Sequence, residues 1–253
     1  MNPIALITGS TAGIGKATAE RFAKEGYDLI LTGRRSDRLE TQKKQLQDTY
    51  RNRVLTLCFD VRSQAEVEQN LGNLPDDWKN IAVLVNNAGL AVGLNPVQEG
   101  VVDDWERMID TNLKGLLYVS RTIAPLMIQN GHGHIVSIGS VAGKDVYPNG
   151  AVYCATKHAI DAFSKGLRMD LVAHGIRVTQ VCPGAVETEF SVVRFKGDQN
   201  RADNVYKGFE PLKADDVADA VFYCVNLPKH VCINDMLIMP TAQAAPTIIH
   251  RNL

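Results

Sequence analysis

Short apolar runs alternate with stretches of helical spacing along the whole chain. The run "IALIT" reads as a buried strand, and the segment from Gly13 to Glu25 reads as a helix ended by Gly26. "DLILT" is a second strand, after which Ser36 is placed to cap a helix to about Tyr50, with Leu39 and Leu46 at helical spacing. "RVLTLCF" is a third strand, and Ser63 with Glu66 forms the pattern of a capping box before the next helix. "IAVLV" is a fourth, followed by a long helix from about Val102 to Asn130 that Pro125 is expected to kink or interrupt. "HIVSI" and "IRVTQVC" flank a helix from about Ala151 to His174. The stretch from Pro183 to Lys213 is irregular or short-helical, and a helix from about Asp215 to Asn226 and a last strand, "DMLIM", complete the pattern.

The strands are apolar almost throughout rather than at alternate positions. Such strands belong to a parallel sheet covered by helices on both faces. No linker or break in composition divides the 253 residues. The expectation is one α/β domain, a doubly wound parallel sheet of the Rossmann type.

Composition narrows the function more than the fold. The net charge is −1 and no basic stripe is present, so nothing could neutralise a run of phosphates and no nucleic-acid partner is expected. No apolar run approaches the ~20 residues that span a bilayer, and "MNPIALITGS" has neither a charged leader nor a cleavage site, so neither membrane insertion nor secretion is expected. The five cysteines are scattered, with none at CxxC spacing, which suggests small buried side chains in a reducing, cytoplasmic setting. His132 and His134 flank a glycine with no cluster of other ligands, so no metal is expected.

The first strand runs straight into Thr8-Gly9-Ser10-Thr11-Ala12-Gly13-Ile14-Gly15. A glycine-rich turn lets the backbone approach a pyrophosphate, and the helix behind it aims its N–H groups and positive dipole end at that charge. Alone such a turn could be merely tight; between a strand and a helix it points to a dinucleotide. An NAD site places an acidic residue about 20 residues further on, for the ribose 2′-hydroxyl. Here the second strand ends in Thr32-Gly33-Arg34-Arg35, with no carboxylate. One or both guanidinium groups would suit a 2′-phosphate, which favours NADP. Asp60, closing the third strand, could accept from the adenine amino group, with Val61 packed alongside.

In "AVYCATKHAI", Tyr153 precedes Lys157 by one helical turn, so both lie on one face. By itself the pair is more simply read as a half-buried Tyr beside a solvated Lys. Its surroundings change that. "TGSTAGIG", "NNAG" at Asn86 to Gly89, "DTNLKG" around Asn112, "SIGSVAG" with Ser140, "YCATK" and Pro183-Gly184 follow in order. In these motifs the chain resembles the short-chain dehydrogenase/reductase family over nearly its whole length.

The resemblance implies roles. Tyr153 would be the general acid/base. Lys157 would favour its phenolate and hold the nicotinamide ribose. Ser140 would hold the reacting oxygen, and Asn112 a water joining Lys157 to solvent. Gly9, Ser10, Thr11, Gly13, Ile14, Gly15, Asn87, Ala88, Gly89, Pro183, Gly184, Val186 and Thr188 would join Arg34, Arg35, Asp60 and Val61 around the cofactor. The segment 184–213 would be a lid over the nicotinamide. A β-hydroxy acid needs its carboxylate held, and Arg194, then Lys196, are the candidates within that segment. The resemblance also implies a homotetramer. "RFKGD", "INDMLIMPTAQ" and the final "HRN" resemble the bacterial NADP-dependent 3-hydroxy acid dehydrogenases, which also act on serine or allo-threonine. The alternatives are a 3-oxoacyl-carrier-protein or general carbonyl reductase of the same family, and a non-catalytic NADP-binding sensor.

Overall fold

The apolar runs become strands whose burial explains their composition. In the computed structural model, which describes residues 2–252, β1 (Ile4–Ile7) is buried at every position, as is β5 (His134–Ile138). β2 (Asp28–Gly33), β4 (Ile81–Asn86) and β6 (Arg177–Pro183) are buried at all but one position each, while β3 (Val54–Cys58) and β7 (Asp235–Ile238) are more open. The strands form one parallel sheet in the order β3-β2-β1-β4-β5-β6-β7, so the open strands are its edges. β1 sits between β2 and β4, with Ile7 opposite Leu31 on one side and Val85 on the other. The winding reverses at the β1–β4 junction, and ligands of such sheets bind outside the carboxyl ends of the strands at that point.

Alternate residues of β1 serve opposite faces. Ala5 and Ile7 pack under α1 (Gly13–Lys24), α2 (Ser36–Tyr50) and α9 (Ala214–Val225), through Phe22, Leu39, Val217 and Phe222. Ile4 and Leu6 pack under α3 (Gln64–Leu71), α5 (Leu116–Asn130) and α6 (Ala151–Leu171), through Val67, Ile123, Met127 and Leu171. Ile123 is wholly buried, and truncating such a side chain to Ala costs about 2–5 kcal/mol.

The helix boundaries depart from expectation in three places. Ser36 is the first residue of α2 and does not cap it; Arg35 takes the cap position without a side-chain bond. Ser63 does accept from Glu66 N at 3.3 Å, but the Glu66 carboxylate reaches back to Asp60 N instead of closing a box. The long helix is broken ahead of Pro125. It comprises α4 (Val102–Ile109), a π-turn over Asp110–Gly115, and α5. Pro125 lies inside α5 on its exposed side, beside exposed Arg121, so water can take the carbonyl that the proline leaves unpaired.

Between β6 and α9 lie two short helices, α7 (Phe190–Arg194) and α8 (Gln199–Tyr206). After β7 the chain makes a small antiparallel hairpin, β8 (Gln243–Ala245) with β9 (Ile248–Ile249). Among the described residues no helix is long and apolar enough to cross a membrane. The five cysteines are unpaired; Cys154, Cys182 and Cys224 are buried as expected, but Cys58 is exposed at the sheet edge.

Candidate active site

A cavity of about 670 Å³ opens at the carboxyl ends of β1, β4, β5 and β6. Its floor begins at the glycine turn. Gly9 has φ +65°, and a Cβ there would stand 2.9 Å from the Ala88 Cα; Gly13 has φ +51°. Both positions need glycine's conformational freedom and its lack of a side chain. Thr8 binds this turn to the "NNAG" segment, since its Oγ1 accepts from Asn87 N and Ala88 N at 3.0 Å each. Asn87 Nδ2 donates back to the Thr8 carbonyl at 2.8 Å and the Gly9 carbonyl at 3.1 Å. Two motifs nearly eighty residues apart thus form one rigid cradle, the shape a dinucleotide's phosphates require.

Most of the expected cofactor residues line this cavity, among them Thr11, Ile14, Val61, Gly89, Pro183, Gly184, Val186 and Thr188. Two do not. The Ser10 side chain is wholly buried and turns into the sheet, its Oγ donating to the Thr32 carbonyl. A Cβ on Gly15 would collide with Asn87 Nδ2 and the Gly9 carbonyl, so this glycine serves the close packing of α1 on the turn.

At the far end of the cradle the two arginines have different settings. Arg35 is anchored: Nε and NH2 donate to Thr11 Oγ1 at 3.1 and 2.8 Å, and NH1 pairs with Glu189 Oε2 at 3.1 Å. Arg34 is more exposed and lies 3.6 Å from Asp60 Oδ2. Asp60 also takes Arg62 on both oxygens, and these contacts hold its carboxyl below the usual value against the opposing effect of burial. A 2′-phosphate would therefore meet Arg35 pre-oriented and Arg34 free to move, and the cradle with this basic rim fits NADP.

The chemical end lies over β5 and β6. Tyr153 and Lys157, on the first turns of α6, and Ser140, just after β5, are all more than nine-tenths buried and all line the cavity. Lys157 Nζ donates to the Ile138 carbonyl at 2.9 Å and lies 5.8 Å from the Tyr153 ring centroid. Burial lowers the Lys157 pKa to about 8. Burial also pushes the Tyr153 phenol well above its ordinary value and Tyr147 adds to this, while a hydrogen bond with Ser140 and the Arg194 guanidinium pull it back. Ser140 itself is fixed by the Ala142 N–H, which donates to its Oγ at 3.1 Å.

Asn112 is placed differently from a simple side-chain water ligand. Its Oδ1 accepts from Leu90 N, and its Nδ2 donates to the Leu90 carbonyl and to Thr156 Oγ1, at 2.8, 2.8 and 3.1 Å. The amide is spent on joining "NNAG" to α6. Only the backbone remains to hold a water, and Asn112 lies in the π-turn, where the helical ladder is offset.

The lid candidates separate sharply. Arg194 lines the cavity; its NH2 donates to Tyr147 Oη at 2.8 Å, and its Nε is buried with no partner. Lys196 does not line it. Its Nζ pairs at 2.7 Å with Asp104, a buried carboxylate on α4 that needs a cation, so Lys196 is withdrawn as a substrate ligand. The C-terminal run sends Pro246, Thr247, Ile249 and Arg251 to the cavity wall. Arg251 and Asn252 fasten to the segment between β6 and α9, Arg251 NH2 donating to the Val205 carbonyl at 3.0 Å and Asn252 N to that of Gly208 at 2.7 Å.

Tyr147, Glu189 and Gln243 are further wall residues that the sequence did not single out. Gly150 leaves room for the Tyr147 ring, which a Cβ there would strike. That glycine was the one local sign of a side chain folded back on its own loop.

A family model described as short chain dehydrogenase matches residues 3–199. The NADP-dependent 3-hydroxy acid dehydrogenase of Escherichia coli (strain K12) is 46% identical over 250 residues, covering 98% of this chain and 99% of the relative. Sulfoacetaldehyde reductase 2 of Chromohalobacter salexigens is 46% identical over 245 residues, 96% of each chain. Among solved structures, the closed form of a serine dehydrogenase complexed with NADP+ superposes with a TM-score of 0.91 at 45% identity, covering 98% of this chain and 100% of the other. Every motif from the glycine turn to Pro183-Gly184 falls inside the matched span and on the cavity wall or its immediate support, and the chain belongs to the short-chain dehydrogenase family.

Proposed function

We propose that this protein is an NADP-dependent oxidoreductase that moves a hydride between the nicotinamide and the hydroxyl-bearing carbon of a small 3-hydroxy acid of the serine, allo-threonine or 3-hydroxyisobutyrate type. One observation carries the substrate reading. Arg194 brings its guanidinium to the same cavity as Tyr153 and Ser140, 5.7 Å from the Tyr153 ring centroid. A substrate carboxylate in the cavity would meet this cation, which can hold it bidentately and in a fixed orientation. The relatives fit: the names of all three describe small substrates bearing an acid group, carboxylate or sulfonate.

The cofactor would be held by the Gly9–Gly13 turn, Asn87 to Gly89, Lys157 and Arg35, with Pro183, Gly184, Val186 and Thr188 closing over it. When bound, the nicotinamide accepts or gives the hydride and in its oxidised form adds a positive charge to the site. In oxidation, Ser140 steadies the substrate hydroxyl and Tyr153, as phenolate, takes its proton. In reduction, Tyr153 returns a proton to the carbonyl oxygen, a direction that its raised pKa suits. Lys157 favours the phenolate by charge, and the backbone of Asn112 passes the proton onward through water. Arg194 fixes the carboxylate so that the hydroxyl meets Tyr153 in one orientation.

The test is NADP reduction followed by absorbance over L-serine, D-serine, L-allo-threonine, L-threonine, 3-hydroxyisobutyrate, 3-hydroxypropionate, 2-hydroxyethanesulfonate and an uncharged secondary alcohol. Turnover on the acids above the uncharged alcohol is expected; preference for the uncharged alcohol overturns the reading. A homotetramer in the cytoplasm completes it. Exposed Val102 and Ile109 on α4, and Met169 on α6 with Val172 just beyond it, offer apolar surface for the helical interface. A monomer by light scattering at micromolar concentration would remove the assembly.

A further inference from the structure

We propose that Glu189 weakens the grip on a 2′-phosphate and so sets how strongly this protein prefers NADP over NAD, an inference that rests on the NADP reading above. Glu189 stands at the lid's first turn, just before α7, and faces back across the mouth of the cavity to the start of α2. Its Oε2 accepts from Arg35 NH1 at 3.1 Å and its Oε1 from Arg38 NH1 at 2.8 Å. Thr11, Arg34, Arg35 and Glu189 share one stretch of the cavity wall; Arg38 lies outside it.

Arg35 is the residue in dispute. Two of its three nitrogens rest on Thr11, which fixes the plane of the guanidinium, and the third rests on Glu189. A phosphate approaching Arg35 must share NH1 with a carboxylate or displace it. Two anions on one cation repel each other, so Glu189 opposes a dinucleotide with a 2′-phosphate. A plain 2′-hydroxyl provokes no such repulsion. Glu189 is an anion at neutral pH, and its bonds to Arg38 and Arg35 hold its carboxyl below the ordinary value against partial burial.

Arg38 completes the device. Among the described residues its side chain bonds and pairs with Glu189 alone, and it offers the carboxylate a second cation to retreat to. The phosphate can then take Arg35 while the lid stays tied to α2. The pairs are partly exposed, and such pairs are worth little individually, so the effect on affinity should be about two- to fivefold.

The test measures dissociation constants by calorimetry for NADP, NAD, 2′,5′-ADP and 5′-ADP. The last two carry no nicotinamide and isolate the phosphate end. Glu189→Gln, nearly isosteric and uncharged, should tighten NADP and 2′,5′-ADP about two- to fivefold and leave NAD and 5′-ADP unchanged, with the gain shrinking at high salt. Arg38→Met removes the retreat and should weaken the two 2′-phosphate ligands by a similar factor. In an Arg35→Ala background, Glu189→Gln should do nothing further. Equal changes for all four ligands would show that Glu189 only latches the lid, and no change in any would show an idle pair; either overturns the proposal. Wild-type protein that binds NADP no tighter than NAD would instead overturn the cofactor reading itself, before any variant is compared.

Discussion

The Arg194 guanidinium lies 5.7 Å from the Tyr153 ring centroid and 5.2 Å from that of Tyr147, so a cation carried by α7 shares a wall with the phenol carried by α6. On the function proposed above, substrate recognition and proton transfer both depend on Arg194 being in place. Arg194→Ala should lower kcat/KM on hydroxy acids by roughly 2–4 kcal/mol of transition-state binding and barely change it on an uncharged secondary alcohol. Lys196→Ala should leave both values alone, since its partner is Asp104. Equal losses on charged and uncharged substrates for Arg194→Ala would mean that it only shapes the lid.

Removing the phenol should separate binding from chemistry. Tyr153→Phe should cut turnover by about 10²–10⁴-fold or more while NADP still binds. Lys157→Met should damage both, because that ammonium lies beside the phenol and in the cofactor cavity. Oxidation needs phenolate and should climb with pH, whereas reduction needs phenol and should fall. Steady-state pH profiles in both directions check this, and a Tyr153→Phe enzyme with substantial turnover would exclude the assignment.

The two arginines after β2 should not be equivalent. Arg35 is pre-oriented by Thr11, whereas Arg34 has one long ion pair. Arg35→Ala should weaken NADP roughly ten- to a hundredfold, as expected for a charge-assisted contact of about 1.5–3 kcal/mol, and spare NAD. Arg34→Ala should cost less. Titrations with both cofactors decide, and parallel losses for NADP and NAD would assign Arg35 to the fold.

Acid should destabilise the protein through His134. Its Nε2 meets Thr179 Oγ1 at 2.7 Å, its Nδ1 is buried without a partner, and burial, aided by Arg177, lowers its pKa from 6.5 to about 3. The unfolded chain takes up a proton near pH 6.5 that the folded chain refuses. Stability is therefore intact above that pH and falls by ~1.4 kcal/mol per unit as pH drops toward about 3. Urea unfolding at pH 7 and pH 5 should show a loss about 2 kcal/mol smaller in His134→Gln than in the wild type. Identical losses would place the acid sensitivity elsewhere.

What the sequence made legible was local. The glycine turn, the Tyr–Lys turn of helix and the missing carboxylate after β2 declare themselves within a few residues, and the fully apolar strands imply a sheet covered on both sides. What stayed hidden depends on partners distant in the chain. Lys196 and Arg194 look alike in "RFKGD"; only the buried Asp104, far upstream, draws one of them away. Pro125 looked like the break in the long helix, yet the break falls at Asn112, whose amide is committed to Leu90 and Thr156. Glu189 had no motif at all, because its meaning comes from Arg35 and Arg38 across the cleft.

The order of the strands also constrains how the chain is made. β1 emerges first, yet it is an interior strand of the sheet, and Thr8 at its end bonds Val85, 77 residues later. One flank of β1 stays uncovered until β4 arrives, which at about 5–20 residues per second is roughly 4–15 s of synthesis. During that interval the apolar residues Ile4 to Ile7 present an unpaired edge, the kind of surface that seeds aggregation. Expression yield for this protein should thus depend on translation speed and chaperone supply more than on the stability of the finished fold.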